Sequence, residues 1–315
     1  MLRTARITHI TAVAAAVIAA TTACGGEIKS AKDVAVDSSA PSTTPVATSS
    51  TTDSSGSTVS STPVAPVVLT EAESVYRDKR YSDAATLFSA YVDQHPNNPW
   101  GHYMLGLSSW KSGDLDRAEG AFVRSLELDP KHVKSLLNLA RVNLDQGKPK
   151  DALGRVTKAL TLDSTSGDGY RLMGRVRGAL NEPNEAIAAY RVALSHEPND
   201  VWSMNNMGLL MIQQGRNEEA LGPLARAVQI DSTVAVFQNN LGIALEHTGR
   251  FALAVQSYQA ALAIDGGYTK AKLSLARVEG RKEDPSVTPI ELATVAESFD
   301  REIRGVQMGG PIPKN

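Results

Sequence analysis

The feature that most restricts how this chain can fold is an internal period of 34 residues, which runs from about residue 65 to 268 without an insertion. Cut at that period, the chain yields columns. Ala72, Gly106, Ala140, Gly174, Gly208, Gly242 and Ala276 form one column of small residues, and Ala84, Ala118, Ala152, Ala186, Ala220 and Ala254 form a second, twelve positions later. Two helices of a hairpin approach closely only where facing side chains are small, so the paired columns mark a crossing inside each unit. Phe88, Phe122, Val156, Tyr190, Leu224 and Tyr258 lie four residues beyond the Ala column, on the same face of the second helix, and fill the space between layers.

Between the two helices fall Lys79, Gly113, Gly147, Asn181, Gly215 and Gly249, mostly residues that tolerate the left-handed conformation ending a helix. Pro96, Pro130, Ser164, Pro198, Ser232 and Gly266 close the units, where the second helix stops. The chain reads as an all-α, helix-turn-helix solenoid. With 42% hydrophobic but only 5% aromatic residues, its interior is built from Ala and Leu more than from rings, which suits helices.

The period and the Leu-Gly, Ala, aromatic and Pro columns are similar to those of the tetratricopeptide repeat, whose fold is a right-handed superhelix. Six units are expected at 65–98, 99–132, 133–166, 167–200, 201–234 and 235–268, and the first helix of a seventh begins at Thr269. After a break at Pro285, "TPIELATVAESFDREIR" has Thr288 as N-cap and Pro289 at the first helical position. Ile290, Val295, Phe299 and Ile303 share a face, which predicts a capping helix over the last repeat, ending the ordered region at 304 before a flexible tail, 305–315. A partner-binding helix is the other reading of this segment.

Residues 1–23 combine a basic start (Arg3, Arg6), an apolar run from Ile10 to Ala20 and small residues. This is the layout of a secretory leader; a spanning helix is the rival, but the run falls short of the ~20 apolar residues a bilayer requires. Thr21-Thr22-Ala23-Cys24-Gly25 resembles the lipobox of bacterial lipoproteins, with Thr21 where Leu, Val or Ile is usual. The resemblance implies lipidation of Cys24 after cleavage, and so membrane attachment in the cell envelope. Gly26, where a retention signal has Asp, resembles the signal for the outer membrane. Cys24 is the only cysteine, so a disulfide framework and a Cys-based zinc site are excluded. Residues 27–64 contain 18 Ser or Thr among 38 and no aromatic residue. Such a segment cannot offset its chain entropy by burial, and 24–64 reads as a disordered tether about 35 Å in root-mean-square span and about 130 Å when extended.

Net charge is -2, more negative once Arg3 and Arg6 are removed with the leader, so no basic field exists for nucleic acid. His9, His95, His102, His132, His196 and His247 lack metal-ligand spacing and read as solvated residues. No phosphate loop, G-x-S-x-G elbow or available nucleophilic cysteine is present. The chain is expected to be neither an enzyme nor the holder of a cofactor. Glu218, Glu219, Asp116 and Glu185 stand at the starts of second helices, where they complement the helix dipole.

Asn is a mediocre helix former, yet Asn205-Asn206 and Asn239-Asn240 recur 34 residues apart inside first helices. In the family it resembles, first helices line a concave groove, which implies that Asn138, Asn206 and Asn240, with Asn205, Asn239 and Arg171 beside them and Arg141 and Arg175 one turn along, face that groove. A column of Asn amides can hydrogen-bond the main chain of an extended peptide; the alternative is that Asn keeps the groove wet. Trp100, Tyr103 and Trp202 are candidate aromatic anchors, and Trp110 reads as packing. The Lys and Asn pattern by which some relatives clamp chaperone tails is absent. The chain is similar to tetratricopeptide lipoproteins that help assemble pili and secretion pores, which implies a lipid-anchored scaffold for a protein or peptide partner. A periplasmic chaperone-like carrier or a cell-wall glycan receptor is the alternative.

Overall fold

The structure, a computed structural model, describes residues 69–307. The leader, Cys24 and the tether lie outside the described residues, as does the tail beyond 307. The described residues form fourteen helices and no strand. The first helices of successive pairs are α1 (Leu69–Arg77), α3 (Pro99–Ser112), α5 (Val133–Asp145), α7 (Gly167–Ala179), α9 (Val201–Gln213) and α11 (Ala235–His247). Their partners are α2 (Tyr81–Gln94), α4 (Leu115–Leu128), α6 (Pro149–Leu162), α8 (Pro183–His196), α10 (Asn217–Ile230) and α12 (Phe251–Ile264). An unpaired α13 (Thr269–Val278) and a final α14 (Leu292–Gln307) follow. No helix among the described residues is long and apolar enough to cross a membrane.

Local chemistry sets each start and stop. Asn98, Asp114 and Ser166 accept hydrogen bonds from backbone N–H groups of α3, α4 and α7 at 3.0–3.1 Å, satisfying donors that the helix leaves open. Pro149 and Pro183 occupy first-turn positions, where a missing N–H costs nothing. The hairpin turns are left-handed at all six repeat positions, including the non-glycine residues Lys79 and Asn181, both at φ 61°.

The Ala column is fully buried. The small column of the first helices fits beneath the large residue sixteen positions later: a Cβ added to Gly174 would lie 2.6 Å from the Tyr190 ring, and one on Gly208 2.5 Å from Leu224. The close approach is therefore shaped by the aromatic column as much as by the Ala column that the sequence pattern singles out.

The terminal helix departs from expectation. It starts at Leu292 rather than near Thr288, and it does not cap α13. Instead it folds back across the second helices, packing chiefly on α10 and then on α8. Ala296, Phe299 and Ile303 are buried there, Gly222 leaves room for Phe299, and ion pairs Arg191–Glu302 and Arg226–Asp300 hold its polar edges. The strap before it is guided by Glu283, which accepts from the Ala252 N–H at 2.9 Å, and by Arg281 over the Phe251 ring. Helix α13 is left with Leu273 65% exposed. It is pinned by Arg277, which donates to Glu246 at 2.6 and 2.8 Å.

Candidate functional site

Consecutive first helices touch one another, from α3–α5 through α11–α13, whereas consecutive second helices have no comparable contact. The stack therefore curves with its first helices on the inner side. Midway along that side, α5, α7 and α9 form a shallow cleft of about 270 Å³, counting space open to solvent. Arg141, Asp168, Arg171, Arg175, Trp202 and Asn206 line it over a floor of buried Leu172.

The cleft is charged and ordered. Arg141 donates to both Asp168 oxygens at 2.6 Å and to Asn138 Oδ1 at 2.8 Å, while Arg171 donates to Asp168 Oδ1 at 2.8 Å. Burial works against the Asp168 charge, but Arg141 and then Arg171 outweigh it and hold the carboxyl below its usual range. Asp200 accepts from the Trp202 N–H at 3.2 Å and from the Ser203 hydroxyl at 2.6 Å, and Arg171 stands 3.6 Å away. Arg175, half-buried between these groups, makes no hydrogen bond or ion pair among the described residues. Burial pulls its pKa down, with Tyr190 and Asp145 acting in the opposite sense and Arg141 and Arg171 adding repulsion.

Asn205, Asn206, Asn239 and Asn240 behave otherwise. They are 0–5% exposed, and their amides form one directed chain: Asn239 donates to Asn240 at 3.3 Å, Asn240 across the helix boundary to Asn205 at 2.9 Å, and Asn205 to Asn206 at 3.2 Å. Asn206 in turn is hydrogen-bonded to the Tyr190 hydroxyl, whose pKa burial raises. This corrects the expectation of amides presented to solvent. Helices α9 and α11 approach so closely that the side chains bond one another, as buried polar groups tend to, and only the Asn239 Oδ1 at the start of the chain is left without a partner among the described residues. Asn138 is also buried, held by Arg141 and at 3.5 Å from the Tyr103 hydroxyl.

Of the expected residues, the structure gathers Arg141, Arg171, Arg175, Trp202 and Asn206 in the cleft. It places Trp100 and Tyr103 elsewhere. Trp100 is bonded to Glu73 at 3.3 Å, and Tyr103 is buried between Phe122 and His132, with ring centroids 6.0 and 5.0 Å away. Trp202 meets Phe237 edge-on at 5.0 Å. His102 and His132 are engaged rather than solvated, His102 with the Pro96 carbonyl at 3.0 Å and His132 with the Ser135 hydroxyl at 2.6 Å. The acidic residues at second-helix starts do more than face a dipole: Glu218 pairs with Arg250 at 2.7 Å and Asp116 accepts from Gln146 at 3.2 Å, each joining neighbouring repeats. Sequence reasoning missed Asp168, the carboxylate that organises two of the three arginines. Its one signal was its position three residues before Arg171 on the same helical face. No group of His, Cys, Asp and Glu that could hold a metal ion occurs among the described residues.

Residues 103–167 and 234–269 match one family model described as Tetratricopeptide repeat, and 189–222 match a second of the same description. Human tetratricopeptide repeat protein 7B is 31% identical over 129 residues, covering 41% of this chain and 15% of that protein. The peroxisomal targeting signal receptor of Kluyveromyces lactis is 22% identical over 221 residues, 59% of this chain and 39% of the receptor. The chain spans less than half the length of these curated relatives. Among solved structures, a chain of the APC/C hetero-tetramer Cut9-Hcn1 superposes with a TM-score of 0.60 at 17% identity, covering 66% of this chain and 41% of that one, a likeness of fold.

Proposed function

We propose that this tetratricopeptide-repeat solenoid is a non-enzymatic scaffold that holds an extended segment of a partner protein along its concave side, over the cleft of α5, α7 and α9. The observation that carries this reading is the cleft itself, where guanidinium groups and the Trp202 ring face solvent on the side lined by first helices. Arg and Trp are the side chains that most often anchor interfaces. The Asn amides, spent on each other, form the wall of the groove rather than a ladder for the peptide. Relatives named as a receptor or as part of a larger complex are consistent with a binding role. A glycan receptor would be built on stacked rings, and Trp202 is the one ring in this cleft.

The reading extends to location. Lipidation of Cys24 would hold the solenoid to the bacterial envelope on its tether, on the periplasmic face of the outer membrane where one exists, with a role in pilus or secretion assembly. The test places a photo-crosslinking amino acid at Arg171 or, as a control, at Lys158 on the second helix α6, in intact envelopes. A defined partner crosslinked from position 171 and not from 158, and lost from the membrane fraction in Cys24→Ala, is the expected result. Equal crosslinking from both positions rejects the concave site.

A further inference from the structure

We infer that the segment held in the groove carries an acidic side chain, and that its carboxylate seats on Arg175 between Arg141 and Asn206. The inference rests on the peptide-groove reading and names the chemistry that the groove selects. Its basis is an inventory of charge. The cleft holds three guanidinium groups. Asp168 is saturated by Arg141 and Arg171 at 2.6–2.8 Å, and Asp200 is occupied with the first turn of α9 and lies nearest Arg171. Asp145, the other carboxylate that Arg175 senses, accepts the Trp110 indole N–H at 2.7 Å. One cation is left over, half-buried and without a partner among the described residues.

An isolated guanidinium withdrawn from water is costly, and burial lowers the Arg175 pKa in keeping with that cost. Arg141 and Arg171 beside it raise the local positive potential. A carboxylate arriving there meets a planar fork suited to bidentate bonding in surroundings where the charge is poorly screened. Two details narrow the ligand. First helices continue along the inner side in both directions from the cleft, so a chain can pass through, and an internal Asp or Glu fits better than a chain terminus. Asp168 and Asp200 flank the spot, so a run of acids would be repelled; a single acid between neutral neighbours is favoured.

The test titrates the full chain, observed by NMR, with three nonapeptides of Ala and Ser: one blocked at both ends with a central Glu, the same with a central Gln, and the Gln peptide with a free C-terminal carboxylate. The Glu peptide is expected to shift the Arg175 Nε–H and Trp202 indole signals and to bind at least fivefold more tightly than both Gln peptides. Arg175→Gln should erase that ratio, and Arg175→Lys should keep only part of it, since the charge remains but the bidentate fork is lost. Equal binding of Glu and Gln peptides, or a ratio that survives Arg175→Gln, overturns the inference while Trp202 shifts still uphold the groove. Tightest binding by the free C-terminus also overturns it, in favour of a terminal clamp. Absence of any Trp202 shift with all three peptides overturns both readings.

Discussion

The two halves of the concave side solve the same problem with different chemistry. In each, helices of neighbouring repeats come close enough that polar side chains on the inner face must be satisfied by one another. Around α5 and α7 the solution is ionic, with Asp168 shared between Arg141 and Arg171 and Asn138 enlisted as an acceptor. Across α9 and α11 it is neutral, a file of four Asn amides linked donor to acceptor. Leu172 stands at the repeat position that holds Asn138, Asn206 and Asn240 in other units, and it separates the two. The neutral half closes on itself except at the buried Asn239 oxygen where it begins, whereas the ionic half has an odd number of cations, the odd one lining the cleft. A wall can be built from groups turned toward one another; a binding site needs an unpaired one that a ligand can reach.

The comparison is broken most severely at Asn205, the joint of the amide chain. Asn205→Ala strands the Asn240 donor and the Asn206 acceptor in a buried place and is expected to cost about 3 kcal/mol, read from urea unfolding; a loss under about 1 kcal/mol would mean that the amides are not mutually dependent. The ionic half is more weakly coupled and depends on pH. The Asp168 carboxyl is held below its usual value near ~4, so its contribution is present at neutral pH and is lost as pH falls through the folded value. Asp168→Asn should therefore cost about 1 kcal/mol at pH 7, discounted because the side chain is 37% exposed to screening solvent. The difference from wild type should shrink as pH falls through the lowered folded value, while the cost of Asn205→Ala persists because amides do not titrate. A pH-independent cost at Asp168 would deny the ionic reading. The smallest effect is at Arg175: Arg175→Gln should change stability by no more than about 0.5 kcal/mol, since no bond is lost, and a thermal shift of several degrees would show that the side chain is structural.

Much of this architecture is legible residue by residue. The left-handed turns at Gly113, Gly147, Asn181 and Gly215 follow from local preference, and the buried Ala column from spacing alone. The site is half legible. Its arginines and Trp202 stand out because their repeat positions place them on the inner side, but Asp168 has no periodic echo to draw notice. The fate of the Asn residues was hidden for another reason. A helical face says which way a side chain points, not what waits there.

The terminal helix teaches the same lesson. Its apolar stripe of Ile290, Val295, Phe299 and Ile303 announced that it must be covered, and two surfaces were available: the open side of α13 and the backs of α8 and α10. Gly222, Arg191 and Arg226 lie on the second surface, more than 60 residues away in the chain, and together they made it the better match. What the sequence by itself determined is the unit: its 34-residue period, its turns and which faces are small, large or polar, because these depend on interactions within a few residues and are repeated six times. What only the tertiary structure decided is the pairing between units. The distance between Asn240 and Asn205, the sharing of Asp168 and the seat of α14 depend on how closely one repeat stacks on the next, a sum of many small contacts that no single repeat contains.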